Sequence, residues 1–260
     1  MSAPVFLAEP GALAGYDAGS VYLLGGTEGR HAGVVQRRGA GERVDVVDGA
    51  GVRLVGTVQE AGPDGVHVLV TQRVEEPAPD VALVLVQALA KGDRDELAIE
   101  AATEVGADAV LPWQAERSIV VWRGDRAAKS RSRWQGTVRA ATKQSRRARM
   151  PAVETVVDGR GLAARIRSVV DAGGAALVLH EEAAVPLSTV VLPTAGTQPR
   201  ELLVVVGPEG GISAQELAVL TGAGAQAVRL GPHVLRTSTA GPVALALLAQ
   251  RLGRWDVPAT

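Results

Sequence analysis

Five apolar residues, Leu202-Leu203-Val204-Val205-Val206, run straight into Gly207-Pro208-Glu209-Gly210-Gly211-Ile212. Ser213-Ala214-Gln215-Glu216 follows, a capping box that opens a helix. A tight glycine loop thus lies between the carboxyl end of a buried strand and a helix N-terminus, where ligands of open α/β sheets bind. Glycines there let the backbone come close to a ligand and take positive φ, so that N–H and C=O groups recognise it. G-x-G-x-x-G is absent and no Gly-Lys-Ser/Thr follows, so neither the dinucleotide fingerprint nor the P-loop is present. Two more segments share this character. One is Leu230-Gly231-Pro232-His233-Val234-Leu235-Arg236-Thr237-Ser238-Thr239-Ala240, the other Leu177-Val178-Leu179-His180-Glu181-Glu182. Taken singly, each has a plainer reading: a bare strand-to-helix turn for the glycines, a salt bridge for Arg236, packing for His180 and His233.

The chain has no cysteine. Disulfides, cysteine-ligated zinc, iron–sulfur clusters and any cysteine nucleophile are excluded, and no metal is expected. Between Arg123 and Arg149 stand ten basic residues against Asp125 alone, +9 in a chain of net charge −1. Such concentration suggests contact with a polyanion, the alternative being a solvated helix face. No apolar run approaches the roughly 18 residues of a membrane span, and Met1-Ser2-Ala3-Pro4-Val5-Phe6 lacks the features of a signal peptide. A cytoplasmic protein is expected.

These groups need a scaffold. Apolar residues make up 47% of the chain and aromatics 3%, so Val, Leu, Ile and Ala must fill the core. Residues 1–74 read as short strands: Val44 to Val47 before the Asp48-Gly49 turn, then alternation at Val52, Leu54, Gly56 and Val58, and again at Val66, Val68 and Val70. Residues 75–80 read as a linker. From Val81 strands and helices alternate: a buried strand over 81–86, a helix over 93–105 ended by Gly106, a strand over 109–112, and a helix around 134–145. Strands over 175–179, 202–206 and 227–230 follow, then a last helix over 239–252 with Pro242 in its first turn. This order predicts an α/β fold with a mostly parallel sheet.

Together the loops resemble the SPOUT methyltransferases, and more closely the bacterial 16S ribosomal RNA (uracil-N3)-methyltransferase family. The main blocks are Gly207-Pro208-Glu209-Gly210-Gly211-Ile212 with Glu216, and Leu230-Gly231 through Leu235-Arg236-Thr237 with Thr239-Ala240. Supporting blocks are Lys91-Gly92-Asp93, Ala102-Thr103-Glu104-Val105-Gly106, Glu116-Arg117-Ser118, Gln144-Ser145-Arg146-Arg147 with Pro151, and Arg30-His31. The resemblance implies a PUA-like β-barrel over 1–74 that helps hold RNA and a methyltransferase domain over 80–260 with a C-terminal trefoil knot. It also implies a homodimer, and an S-adenosylmethionine (AdoMet) pocket built from Leu179, His180, Glu181, Gly207, Gly210, Gly211, Ile212, Leu230, Gly231, Leu235 and Thr237. Arg236 and Glu209 are the catalytic candidates. Arg30, His31, Arg117, Arg133, Lys143, Arg146 and Arg147 are the RNA-binding candidates, for 16S RNA in the small ribosomal subunit.

On this reading the protein methylates N3 of a uridine in the decoding region. Positioning dominates such a reaction, because the cofactor brings the reactive carbon. Arg236 would stabilise the uracil anion, and Glu209 would be a base or a structural element of its loop. Two alternatives stay open: a 2′-O-ribose methyltransferase on the same scaffold, and a non-catalytic RNA-binding assembly factor. Valine at Gly211 is expected to block the pocket sterically.

Overall fold

The computed structural model describes residues 3–256. It divides into two compact units, Met1–Ala78 with Thr142–Met150, and Pro79–Ala141 with Pro151–Thr260. No described helix is long and apolar enough to cross a membrane.

The first unit is a five-stranded sheet: β1 (Val5–Leu7), β2 (Val21–Leu24), β3 (Arg43–Val47), β4 (Val52–Gly62) and β5 (Gly65–Glu75), in the order β1-β3-β4-β5-β2. β1 and β3 are parallel and the other pairs antiparallel. The period-2 pattern sets the inside face: Leu54 and Val58 of β4 and Val66, Val68 and Val70 of β5 are buried around Phe6 and Leu24. Asp48 makes the predicted turn, its Oδ1 accepting from the N–H groups of Ala50 (2.8 Å) and Val52 (3.0 Å). The short helix α1 (Gly26–Arg30) continues into a π-helical turn, His31–Val35.

Thr142–Met150, inside the basic segment, belongs to this unit. Gly51 N–H donates to Ala148 O (3.2 Å), Met150 N–H to Gly49 O (2.9 Å) and Arg53 to Arg146 O (2.8 Å). Ala148 packs with Val5, Leu7 and Val47. The expected single domain over 80–260 is therefore interrupted at this stretch.

The second unit is a parallel α/β sheet. Its strands are β6 (Val81–Ala88), β7 (Ala109–Gln114), β8 (Ala152–Val153), β9 (Val157–Asp158), β10 (Ala175–Leu179), β11 (Arg200–Val206) and β12 (Gln226–Val228). The order is β12-β10-β11-β6-β7-β8, with β9 also on β7, and every pair is parallel. Helices α2 (Arg94–Val105) and α6 (Thr237–Arg251) pack on each other, and α6 lies on β6 and β11. Helix α4 (Gly159–Asp171) packs on β7, β10 and β11 and against α5 (Ala214–Gly222). With helices to cover both faces, β6 and β11 are buried along most of their length, which is why both read as continuous apolar runs. The basic helix α3 runs from Asp125 to Gln144, longer than predicted.

Pro242 is not in the first turn. Helix α6 starts at Thr237, two residues earlier than expected, so Pro242 sits inside it and cannot donate the backbone bond to Ser238 O.

Asp95, in the first turn of α2, is 2% exposed. Burial pushes its pKa up to about 6, against the backbone N–H groups of Glu96 and Ala90 that favour the charge. A raised carboxyl pKa means that the folded state holds the proton more tightly than the unfolded state. Stability is therefore lost as pH rises from about 4 through about 6, by about 3 kcal/mol for a shift of this size. Asp95→Asn should stabilise the protein against urea at pH 8 and gain little at pH 4.5. An equal gain at both values would contradict this assignment.

Candidate functional site

The three loops singled out above leave the carboxyl ends of β10, β11 and β12, and β10 lies between the other two in the sheet. Parallel pairing sends all three out at the same edge, so three segments far apart in sequence meet. They enclose a cavity of about 610 Å³.

The glycine loop forms one wall. Gly211 has φ +72° and its N–H donates to Pro208 O (2.9 Å), closing a turn that an L side chain strains. Gly207 is needed for space: a Cβ there would come 2.7 Å from Ile212 Cγ1. Ser213 caps α5, its Oγ accepting from Glu216 N–H (3.1 Å) and donating to Glu116 Oε2 (2.5 Å). Glu216 does not complete the reciprocal half of the capping box. Its Oε1 accepts from Glu116 N–H (2.7 Å), tying the loop after β7 to the start of α5.

Glu209 Oε1 accepts from Arg94 Nη1 (2.7 Å) and Lys91 N–H (3.0 Å). Partial burial opposes its charge, but its own backbone N–H, the Arg94 guanidinium and Lys91 N–H outweigh burial and hold its pKa below the usual value. A carboxylate held this way is a weak base and a good strut. Arg117 Nη1 donates to Gly210 O (2.9 Å) and lines the cavity, so this RNA-binding candidate also braces the glycine loop.

The second wall is the loop before α6. Arg236 is the N-cap of α6 but makes no side-chain cap. Its exposed guanidinium has no hydrogen bond or ion pair among the described residues. Thr237 is buried, and its hydroxyl donates to Gly207 O (2.8 Å). The third wall is Leu179, His180 and Glu181. His180 Nδ1 accepts from Glu182 N–H (3.2 Å), which in a neutral ring leaves the proton on Nε2.

Leu179, His180, Glu181, Gly207, Glu209, Gly210, Gly211, Ile212, Leu235, Arg236 and Thr237 all line this cavity. Leu230 and Gly231 do not. They line an adjoining recess of about 200 Å³ that shares Leu179, His180 and Glu181. Arg94, Val206, Pro208, Val234 and Ala240 line the main cavity without having been expected among its pocket residues. The signal for Arg94 was its place directly after Lys91-Gly92-Asp93.

The basic candidates divide. Lys143 Nζ bonds Glu28 Oε2 (2.8 Å), with both side chains mostly buried, and lies 5.7 Å from the Phe6 ring centroid. Arg133 pairs with Glu96 (2.5 Å). Arg131 donates to Val153 O and Glu154 O, and Arg149 to Glu76 O and Pro77 O. Arg147 is half-buried and also has a partner. Arg123, Arg126, Lys129 and Arg146 are exposed and unpaired among the described residues. Arg30 is exposed as well, whereas His31 Nε2 meets the Gln36 amide at 2.9 Å.

Residues 76–249 match the family described as an RNA methyltransferase domain. The ribosomal RNA small subunit methyltransferase E of Mycobacterium bovis is 48% identical over 94% of this chain and 92% of its own. That of Bacillus subtilis is 30% identical over 88% and 89%. A crystal structure of the Neisseria gonorrhoeae ribosomal RNA small subunit methyltransferase E, bound to S-adenosyl methionine, superposes with a TM-score of 0.82. It is 27% identical and covers 96% of this chain and 98% of that one. The sheet, the loops that meet at its carboxyl edge and nearly full-length likeness to these proteins agree: the chain belongs to the ribosomal RNA small subunit methyltransferase E family.

Proposed function

We propose that the protein methylates N3 of a uridine in 16S ribosomal RNA, using AdoMet held in the 610 Å³ cavity. The observation that carries this reading is the convergence of the glycine loop, the Leu179–Glu181 loop and the loop before α6 on one cavity, with an unpaired arginine at its wall. Volume and lining suit a small ligand read mainly by backbone groups. Gly207, Gly210, Gly211 and Ile212 would hold it on one side, Leu179, His180 and Glu181 on the second, and Leu235 and Thr237 on the third. Leu230 and Gly231 would contribute from the adjoining recess.

AdoMet, when bound, supplies an electrophilic methyl carbon. The chain's residues do the rest. Arg236, free of internal partners, meets the negative charge that grows on the uracil as N3 gives its proton to water. Glu209 keeps the glycine loop against Lys91 and Arg94. His180 presents Nε2–H as a donor. Uracil N3 is hidden in a pair or stack, so the target base is splayed out before it reacts. The absence of cysteine argues against C5, which requires a thiolate adduct.

The finer architecture belongs to the same proposal. Residues 1–74 form a PUA-like RNA-holding barrel, a reading supported by a mainly antiparallel sheet wound around one core. The trefoil knot is supported by the path after β12. That strand is at the sheet edge, yet α6 lies back on β6 and β11, and a Pro186–Arg229 bridge ties the two loops concerned. Homodimer formation is supported by the exposed Val243 and Leu247 of α6 beside an apolar recess that includes Leu187 and Leu230. The work is done in the cytoplasm, on the small ribosomal subunit.

Titration calorimetry tests the cofactor half. Saturable 1:1 binding of AdoMet per chain is expected, and no binding would remove the enzymatic reading in favour of an assembly factor. The RNA half is tested through salt. Replacing Arg126, Lys129 and Arg146 by Gln should weaken RNA binding and flatten its salt dependence, by up to about 0.7 in slope per lost contact on single-stranded RNA. AdoMet affinity should not change. An unchanged slope would return the segment to a solvated face.

A further inference from the structure

Gln87 lies at the carboxyl end of β6, opposite Val206 of β11, and is fully buried. It does not line the cavity. Its side chain nevertheless reaches both loops that do. Gln87 Nε2 donates to Thr237 Oγ1 (2.9 Å) and to Ala88 O (3.1 Å), and Thr237 Oγ1 in turn donates to Gly207 O (2.8 Å). The relay runs from the central strand, through the first residue of α6, to the first residue of the glycine loop. These segments are separated by 150 and 30 residues along the chain.

Stability alone does not explain this residue. Gln87 Oε1 is buried without a hydrogen-bond partner among the described residues, and a buried unpaired acceptor is costly. An apolar side chain of equal size would suit the strand better. The two N–H groups do something that an apolar side chain cannot. The one aimed at Thr237 leaves its hydroxyl proton free for Gly207 O alone, which fixes the direction of that carbonyl and the spacing of two cavity walls.

We infer that Gln87 is a positioning residue of the AdoMet pocket, acting through Thr237 on Gly207. The inference rests on the cofactor reading above and adds to it a residue outside the cavity. It predicts a specific split. Gln87→Met keeps the length and volume and removes both donors. AdoMet Kd and the KM for AdoMet should rise about tenfold, equivalent to about 1.4 kcal/mol. The KM for RNA and kcat at saturating AdoMet should stay within about twofold, and Tm should hold or rise. A residue with only a structural role would lower Tm and leave AdoMet affinity alone.

The test is calorimetric titration of AdoMet into the full-length wild type, Gln87→Met, Thr237→Val, Thr237→Ser and the double variant Gln87→Met/Thr237→Val. Thr237→Val should match the loss of Gln87→Met, Thr237→Ser should retain affinity, and the double variant should bind no more weakly than either single one, as expected of a series relay. Additive losses, or wild-type affinity in Gln87→Met, would overturn the inference while leaving the cofactor reading intact. If Gln87→Met does not fold, wild-type affinity in Thr237→Val overturns it equally. Failure of the wild type to bind AdoMet rejects the cofactor reading itself, and the inference with it.

Discussion

Arg236→Ala is expected to lower kcat about 100-fold, equivalent to about 2.7 kcal/mol of transition-state stabilisation. The KM for RNA should change by less than about threefold. Arg236 can be removed cleanly. It is exposed, it caps nothing, and among the described residues it holds no partner, so the fold should lose no more than about 0.5 kcal/mol. Its value lies wholly in what enters the cavity. If it met only a ground-state phosphate, the variant would raise KM and spare kcat. Lysine at 236 should recover part of the rate, since it restores the charge without the planar fork. The activity of the wild type should also rise with pH, because N3 must lose its proton. A variant with wild-type kcat and a raised KM would take Arg236 out of catalysis.

Gly211→Val should reduce AdoMet affinity about 30-fold or more while the far-ultraviolet circular dichroism stays unchanged. The steric block expected of a side chain in this cavity wall is joined by backbone strain. A Cβ at Gly211 finds only Arg117 Nη1, at 3.9 Å. Within the protein the obstacle is φ +72°, which a β-branched residue adopts at a cost of about 1–3 kcal/mol. The loop relieves that strain by rotating, which breaks the Gly211–Pro208 turn and pulls Gly210 O away from Arg117. Gly222→Ala, at the end of α5 with open space around it and no positive φ, is the control and should bind AdoMet normally. Unchanged affinity in Gly211→Val would separate the glycine loop from the cofactor.

Much of the candidate site could be read along the chain because its signals are local. The apolar run 202–206, the glycines after it and Ser213 three residues before Glu216 each speak for their own few residues. Parallel pairing then does the assembling, and the strand ends identify the edge where the loops meet. What stayed hidden depends on distant partners. The count of basic residues could not tell Lys143, locked on Glu28, from exposed Arg146 three residues later. Nothing in Thr142–Met150 marks it as part of the N-terminal unit, because its partners, Gly49, Gly51 and Arg53, lie some ninety residues upstream. The two-residue strands β8 and β9 are too short for periodicity to register. Gln87, just past the apolar run 81–86, carries no local signal; only the fold brings Thr237 to it.

Analysis of the methylated nucleoside decides which atom of the uridine reacts. Small subunits lacking the modification are incubated with the purified protein and AdoMet. The 16S RNA is digested to nucleosides and separated against 3-methyluridine, 5-methyluridine and 2′-O-methyluridine. 3-Methyluridine is expected as the main product, formed by the wild type and about 100-fold more slowly by Arg236→Ala. 2′-O-methyluridine as the main product would move the reaction to the ribose on the same scaffold, and 5-methyluridine would contradict the account outright, since this chain has no cysteine to form the adduct.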